Sequence, residues 1–173
     1  MGASARGLRN VGLALGMLAG AGCGYAPLTA SSVPPSLHRL HVAPVKNETY
    51  RPGLEGAITA AMLRQFRQDG RMQLAAQDTA DGVLASRIVA YETLPITFTP
   101  FDVGRRYRVR VWLALELTAR GQNTPMLEER LAGEAYYLTG ADVVSTRTAE
   151  EEATQRAVRD LATNVVTRIL ESL

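Results

Sequence analysis

The chain has 173 residues, 46% of them hydrophobic and 21% charged, a one-domain length and an ordinary globular composition that exclude disordered, collagen-like and multi-pass membrane chains. Its 19 basic and 17 acidic residues give a formal charge of +2; once Arg6 and Arg9 are set aside, as the next paragraph requires, the remainder is neutral and lacks the clustered positive field that general nucleic-acid binding needs. The single cysteine, Cys23, excludes an intramolecular disulfide and a cysteine-based zinc site.

The first ten residues carry two arginines and no acid, and residues 11–22 (VGLALGMLAGAG) form an apolar run that ends in small residues and is too short to span a bilayer. This is the layout of a secretory signal. With Cys23 directly behind it, the pattern resembles a bacterial lipoprotein signal, in which the thiol is diacylated and the cysteine becomes the mature N-terminus. Gly20 stands three places before the cysteine, where such signals usually carry Leu. Residues 1–22 are therefore expected to be removed and Cys23 to be the lipidation site, with palmitate among its chains; the alternative is a non-lipidated signal that leaves a free thiol. Two or three acyl chains, at about 0.8 kcal/mol per buried methylene, make such an anchor effectively permanent. Gly24 rather than Asp after the cysteine resembles the outer-membrane sorting pattern. Residues 25–36 hold three prolines, three serines and no charge, so residues 23–36 read as a lipidated terminus and tether, and residues 37–173 as the folded body.

In the body, Leu40, Val42 and Val45 flank Pro44 in a short strand that ends at Asn47. Residues 51–70 place Leu54, Ile58, Met62 and Phe66 at four-residue spacing between Pro52 and Gly70, which predicts a helix with one core face. Two extended segments follow over residues 71–76 and 82–94, the second ending at Pro95. Over residues 105–119 the alternation is the strongest in the chain. Tyr107, Val109, Val111, Leu113, Leu115 and Leu117 take one face, and Arg106, Arg108, Arg110, Trp112, Ala114, Glu116 and Thr118 the other. Turn chemistry at residues 121–125 leads into a strand over residues 128–138, completing an antiparallel meander. Thr148 and Glu151 read as a capping box that opens a terminal helix with Val158, Leu161, Ala162, Val165, Ile169 and Leu173 inward. The expected fold is α+β, a two-layer sandwich of two helices on one face of a mixed, mainly antiparallel sheet of about four strands.

Catalytic chemistry is thin. His38 and His41, three apart in an extended segment, point to opposite faces, and there is no HExxH, GxSxG or glycine-rich phosphate loop. Helix capping accounts for the acidic run Glu150, Glu151 and Glu152 better than a metal or partner site does. No enzyme activity, metal or cofactor is expected.

Several segments together carry a family likeness: CGYAPL (residues 23–28), HRLHVAPVKNET (residues 38–49), PGLEGAITAAMLRQF (residues 52–66), ADGVL (residues 80–84), YRVRVWLALEL (residues 107–117) and the terminal EEEATQRAVRDLATNVVTRIL run. In order and spacing they resemble the LptE family, the lipoprotein subunit of the outer-membrane lipopolysaccharide translocon. The resemblance implies a body that plugs the lumen of the β-barrel LptD, helps that barrel assemble and contacts lipopolysaccharide. It also implies a lipid anchor at the periplasmic face of the outer membrane. The Pro-Val-x-Asn-x-Thr ending of the first strand also resembles curli-secretion and penicillin-binding-protein-activator lipoproteins; the strand meander favours LptE.

Two sets of candidate site residues follow. Arg106, Arg108 and Arg110 lie on one face about 7 Å apart, with Arg105 adjacent, and guanidinium forks match phosphate oxygens, so this ladder is a candidate lipopolysaccharide site. Glu92, Glu128 or Glu134 on neighbouring strands could instead pair with it. Residues 94–104 read as an irregular apolar loop whose Phe98 and Phe101, with Trp112 on the arginine face, are candidate contacts to the barrel; a loop folded back over the sheet edge is the alternative.

Overall fold

A computed structural model describes residues 37–98 and 104–173. The elements run β1 (Arg39–Val42), β2 (Lys46–Asn47), α1 (Leu54–Asp69), β3 (Gln73–Leu74), β4 (Gly82–Phe98), β5 (Gly104–Ala119), β6 (Leu127–Leu138) and α2 (Val143–Glu171). The expected two-helix α+β architecture is present, but the sheet has six strands rather than about four. Their order is β3-β1-β4-β5-β6, with β2 also paired to β4. The β4-β5-β6 meander is antiparallel along its whole length. All three ladders involving β1, β2 and β3 are parallel. Strands of two to four residues show too few alternations to be read as paired in either direction.

The four-residue stripe of α1 is its buried face: Leu54, Ile58, Met62 and Phe66 are all buried, joined by Ala61. Gly70 ends the helix at φ 76°, its N–H bonded to the Phe66 carbonyl, a left-handed cap that suits a residue without Cβ. Ahead of the helix, Asn47 organises the chain. Its amide donates to the Arg51 carbonyl at 2.8 Å and to Glu55 at 2.9 Å, and its oxygen accepts from the Thr49 N–H at 2.9 Å.

The alternation of β5 is fulfilled. Val109, Val111, Leu113, Leu115 and Leu117 are each at most 1% exposed, and each such side chain contributes about 1.5–3 kcal/mol by leaving water. They join the α1 stripe and the Val158, Leu161, Ala162, Val165 and Ile169 face of α2 in one core. The two helices pack on each other, α1 also meeting β1, β2 and β3, and α2 meeting β5 and β6.

Two boundaries differ from expectation. The terminal helix starts at Val143, five residues before Thr148, and its cap is Asp142, whose carboxylate accepts from the Ser145 N–H at 2.8 Å while the Ser145 hydroxyl accepts from the Asp142 N–H at 3.2 Å. Thr148 sits inside the helix and donates to the Val144 carbonyl. Residues 94–98, expected in a loop, continue β4. The strand passes through Pro95 because, among the described residues, no strand lies on its outer side there, so the missing N–H interrupts no ladder.

Candidate ligand and partner face

The helices cover one face of the meander, and the other face carries the arginines. Register places its side chains in rows across β4, β5 and β6: Leu94–Arg108–Tyr136, Glu92–Arg110–Glu134, Ala90–Trp112–Ala132, Arg87–Ala114–Arg130 and Ala85–Glu116–Glu128, with Arg106 beside Leu138 at the end. The strand period of two that buries Val109 and Val111 thus aligns the ladder on the uncovered side.

Of the three carboxylates weighed as partners, Glu134 engages the ladder. It accepts from Arg110 Nη2 at 2.7 Å and Nε at 3.0 Å and lies 3.9 Å from Arg108 Nη1. The Arg110 bond, followed by lesser contributions from the Tyr136 hydroxyl and the nearby Arg108 charge, holds the Glu134 carboxyl below the usual carboxylate range. Among the described residues no ion pair joins Glu92 or Glu128 to the ladder. Arg106 has no carboxylate there either; its guanidinium lies 4.9 Å over the Tyr136 ring. The Arg108 Nε is buried without a described hydrogen-bond partner. The rows of Arg106, Arg108 and Arg110 hold two carboxylates, Glu92 and Glu134, against three guanidinium groups, a positive surplus of one at this end of the face.

Trp112 is held between two guanidinium groups, Arg130 at 4.7 Å and Arg110 at 5.4 Å from its ring, a geometry in which the ring's negative faces attract both cations. In the rows of Arg106 and Arg108, Leu94, Tyr136 and Leu138 are exposed apolar side chains. Val143 and Val144, in the first turn of α2, are exposed by three-quarters. Sequence reasoning missed these residues, although Val143 and Val144 lie off the buried stripe of α2 and were the available signal. Arg105 takes its place in β5 and Phe98 ends β4, with backbone pairing Phe98 to Gly104; Phe101 lies outside the described residues.

A second cleft is built by the chain ahead of α1, the middle of β4 and the first turns of α2. Arg51 donates to Glu150 at 2.6 Å and to Glu151 at 3.0 Å and lies 4.4 Å over the Tyr91 ring, while the Tyr91 hydroxyl donates to Glu150 at 3.0 Å. Burial pushes the Tyr91 hydroxyl up. Glu150 and Glu151, expected to cap the helix, are instead the acceptors that clamp Arg51. His38 is exposed, and His41 Nδ1 lies 3.2 Å from the Ala75 carbonyl.

Over residues 37–169 the sequence matches the family model LptE, described as lipopolysaccharide-assembly. The chain belongs to the LptE family. That placement replaces the curli-secretion and penicillin-binding-protein-activator alternatives. No curated protein matches the sequence. Solved structures share the LptE-like fold at low identity. A Xanthomonas campestris protein has TM-score 0.60 at 13% identity, covering 83% of this chain and 89% of that one. The rare lipoprotein B of Shewanella oneidensis has TM-score 0.57 at 12% identity, covering 78% and 95%. A minor lipoprotein of Acinetobacter baumannii has TM-score 0.55 at 14% identity, covering 78% and 94%.

Proposed function

We propose that this chain is a non-enzymatic outer-membrane lipoprotein of lipopolysaccharide transport, anchored through Cys23 after loss of residues 1–22, whose body plugs the LptD barrel and helps it assemble. The observation that carries the reading is the family match over the folded body. A 12-residue apolar run that ends immediately before the lone cysteine supports the anchor.

In this reading the arginine end of the uncovered face meets lipopolysaccharide. Arg106 has no carboxylate partner among the described residues, Arg108 shares Glu134 with Arg110, and Leu94, Tyr136 and Leu138 flank them in the same rows. Phosphate oxygens suit the guanidinium forks, and apolar side chains beside them suit acyl surface. Trp112, further along, is offered to the barrel wall with Phe98 and Phe101.

The plug role is tested by purifying the chain from membranes in detergent. It should bring down a large β-barrel protein, and isolation without one would end the plug reading. Mass spectrometry of the same material should find an acylated Cys23 terminus. For the ligand role, Arg106, Arg108 and Arg110 are replaced together by Gln and lipopolysaccharide binding is measured at moderate salt. Unchanged binding in a folded variant would remove the ladder and leave the plug standing.

A further inference from the structure

An outer strand exposes a row of N–H and C=O groups on which another chain can pair. β6 is such a strand, 12 residues long and, among the described residues, paired with β5 as its one neighbouring strand. Its middle is nevertheless occupied by side chains of α2. Asn164 Nδ2 donates to the Ala132 carbonyl at 3.0 Å, Asp160 Oδ2 accepts from the Glu134 N–H at 2.9 Å, and Arg156 Nη2 donates to the Tyr136 carbonyl at 2.9 Å.

The match is geometric and chemical at once. Helix residues four apart rise about 6 Å, and strand residues two apart advance about 6.8 Å, so Asn164, Asp160 and Arg156 keep step with Ala132, Glu134 and Tyr136 as helix and strand run in opposite directions. Donors meet the two carbonyls, and the acid meets the N–H. Gly133 makes the approach possible: a Cβ there would lie 2.2 Å from the Ala157 carbonyl oxygen and 2.4 Å from the Leu161 nitrogen. The other side of the meander is guarded differently, by Pro95 and by register shifts in β4 at Ile88/Ala90 and Pro95/Thr97, devices that interrupt regular pairing.

We propose that α2 stands in for a further strand and closes the β6 edge against strand addition by a second copy of the chain or by a partner's strand. This holds whatever partner the body serves.

The test uses the full chain in detergent. Amide exchange is read at Glu134 and at Arg130, which strand alternation also turns outward but which no α2 side chain caps. Glu134 should exchange at least tenfold more slowly than Arg130. In a variant combining Arg156→Ala, Asp160→Ala and Asn164→Ala, that protection should vanish, and light scattering should show larger species at equal concentration. Gly133→Ala, which leaves the capping residues in place but pushes the helix away, should give the same two changes in smaller degree. Equal exchange at Glu134 and Arg130 in the unmodified chain overturns the proposal, and this comparison decides the matter if the variants fail to fold. A folded triple variant that keeps its size, whatever its exchange rate, also overturns it.

Discussion

The two halves of the meander are built from different materials. In the half nearest β1, the inward residues are mostly aliphatic: Leu84, Ile88, Leu113, Leu115 and Leu117 are at most 1% exposed, with Ser86 among them. In the distal half Val109 and Val111 share the inward places with three tyrosines. Tyr107 and Tyr137 stack with centroids 5.3 Å apart, and the Tyr91 hydroxyl bonds Glu150 and lies 3.0 Å from the Thr154 hydroxyl. There too the exposed apolar residues gather. Aliphatic packing gives stability without direction, whereas ring and hydroxyl contacts fix orientation. The distal end therefore adds oriented contacts to an aliphatic core that runs along the whole meander.

The largest test of that division is Leu113→Ala, which opens a cavity in the aliphatic half and should cost about 2–5 kcal/mol in urea unfolding. If truncation there cost no more than at the distal end, the comparison would fail. Asp142→Ala removes the α2 cap at the distal end and should cost about 1 kcal/mol, with faster amide exchange over the first helical turns and little change in α1.

One group in each half should also lose its contribution at opposite ends of the pH scale. Bonded by the Arg39 guanidinium, the Asp81 carboxyl beside β4's start is lowered from 3.8 to about 2, so its contribution is present above the unfolded value and disappears as pH falls between these two values. Burial pushes the Tyr137 hydroxyl from 10.0 up to about 12, so its contribution is present below the unfolded value and is lost as pH rises across that interval. Asp81→Asn should flatten only the acid limb of a stability profile, and Tyr137→Phe only the alkaline limb. The smallest effect belongs to Leu94→Ala. Leu94 is 45% exposed, so unfolding should move by no more than about 0.5 kcal/mol, while lipopolysaccharide binding weakens if the distal face is the ligand surface.

Long periodic elements were legible in the sequence because their periods repeat. Leu54, Ile58, Met62 and Phe66 mark α1, and the alternation around Val109 to Leu117 marks β5 with the correct face inward. The short strands were legible as extended segments, ending at Asn47 and over residues 71–76, but their parallel pairing was not, since a two-residue strand such as Gln73–Leu74 has no period and its pairing is decided by partners tens of residues away. The start of α2 was misplaced because Thr148 and Glu151 imitate a capping box, while the working pair, Asp142 and Ser145, precedes an exposed Val143 and Val144 that break the inward stripe. Pro95 was read as a stop, although an outer strand tolerates it. The arginine ladder could be placed on a face, but register sets both Glu92 and Glu134 opposite Arg110, and only the side-chain contacts reveal that Glu134 neutralises part of it.

The helix that closes the β6 edge follows β6 in the chain, and this sets an order of events. Hairpins between neighbouring strands form from local contacts, whereas docking of distant segments must first overcome the entropy of closing a long loop. Tyr136 and Ala132 precede Arg156 and Asn164 by 20 and 32 residues, so in a chain made N-terminus first a meander can assemble before its guard arrives. A newly made chain thus passes through an interval in which β6 is formed and unprotected, and faster docking of α2 shortens its exposure to aggregation.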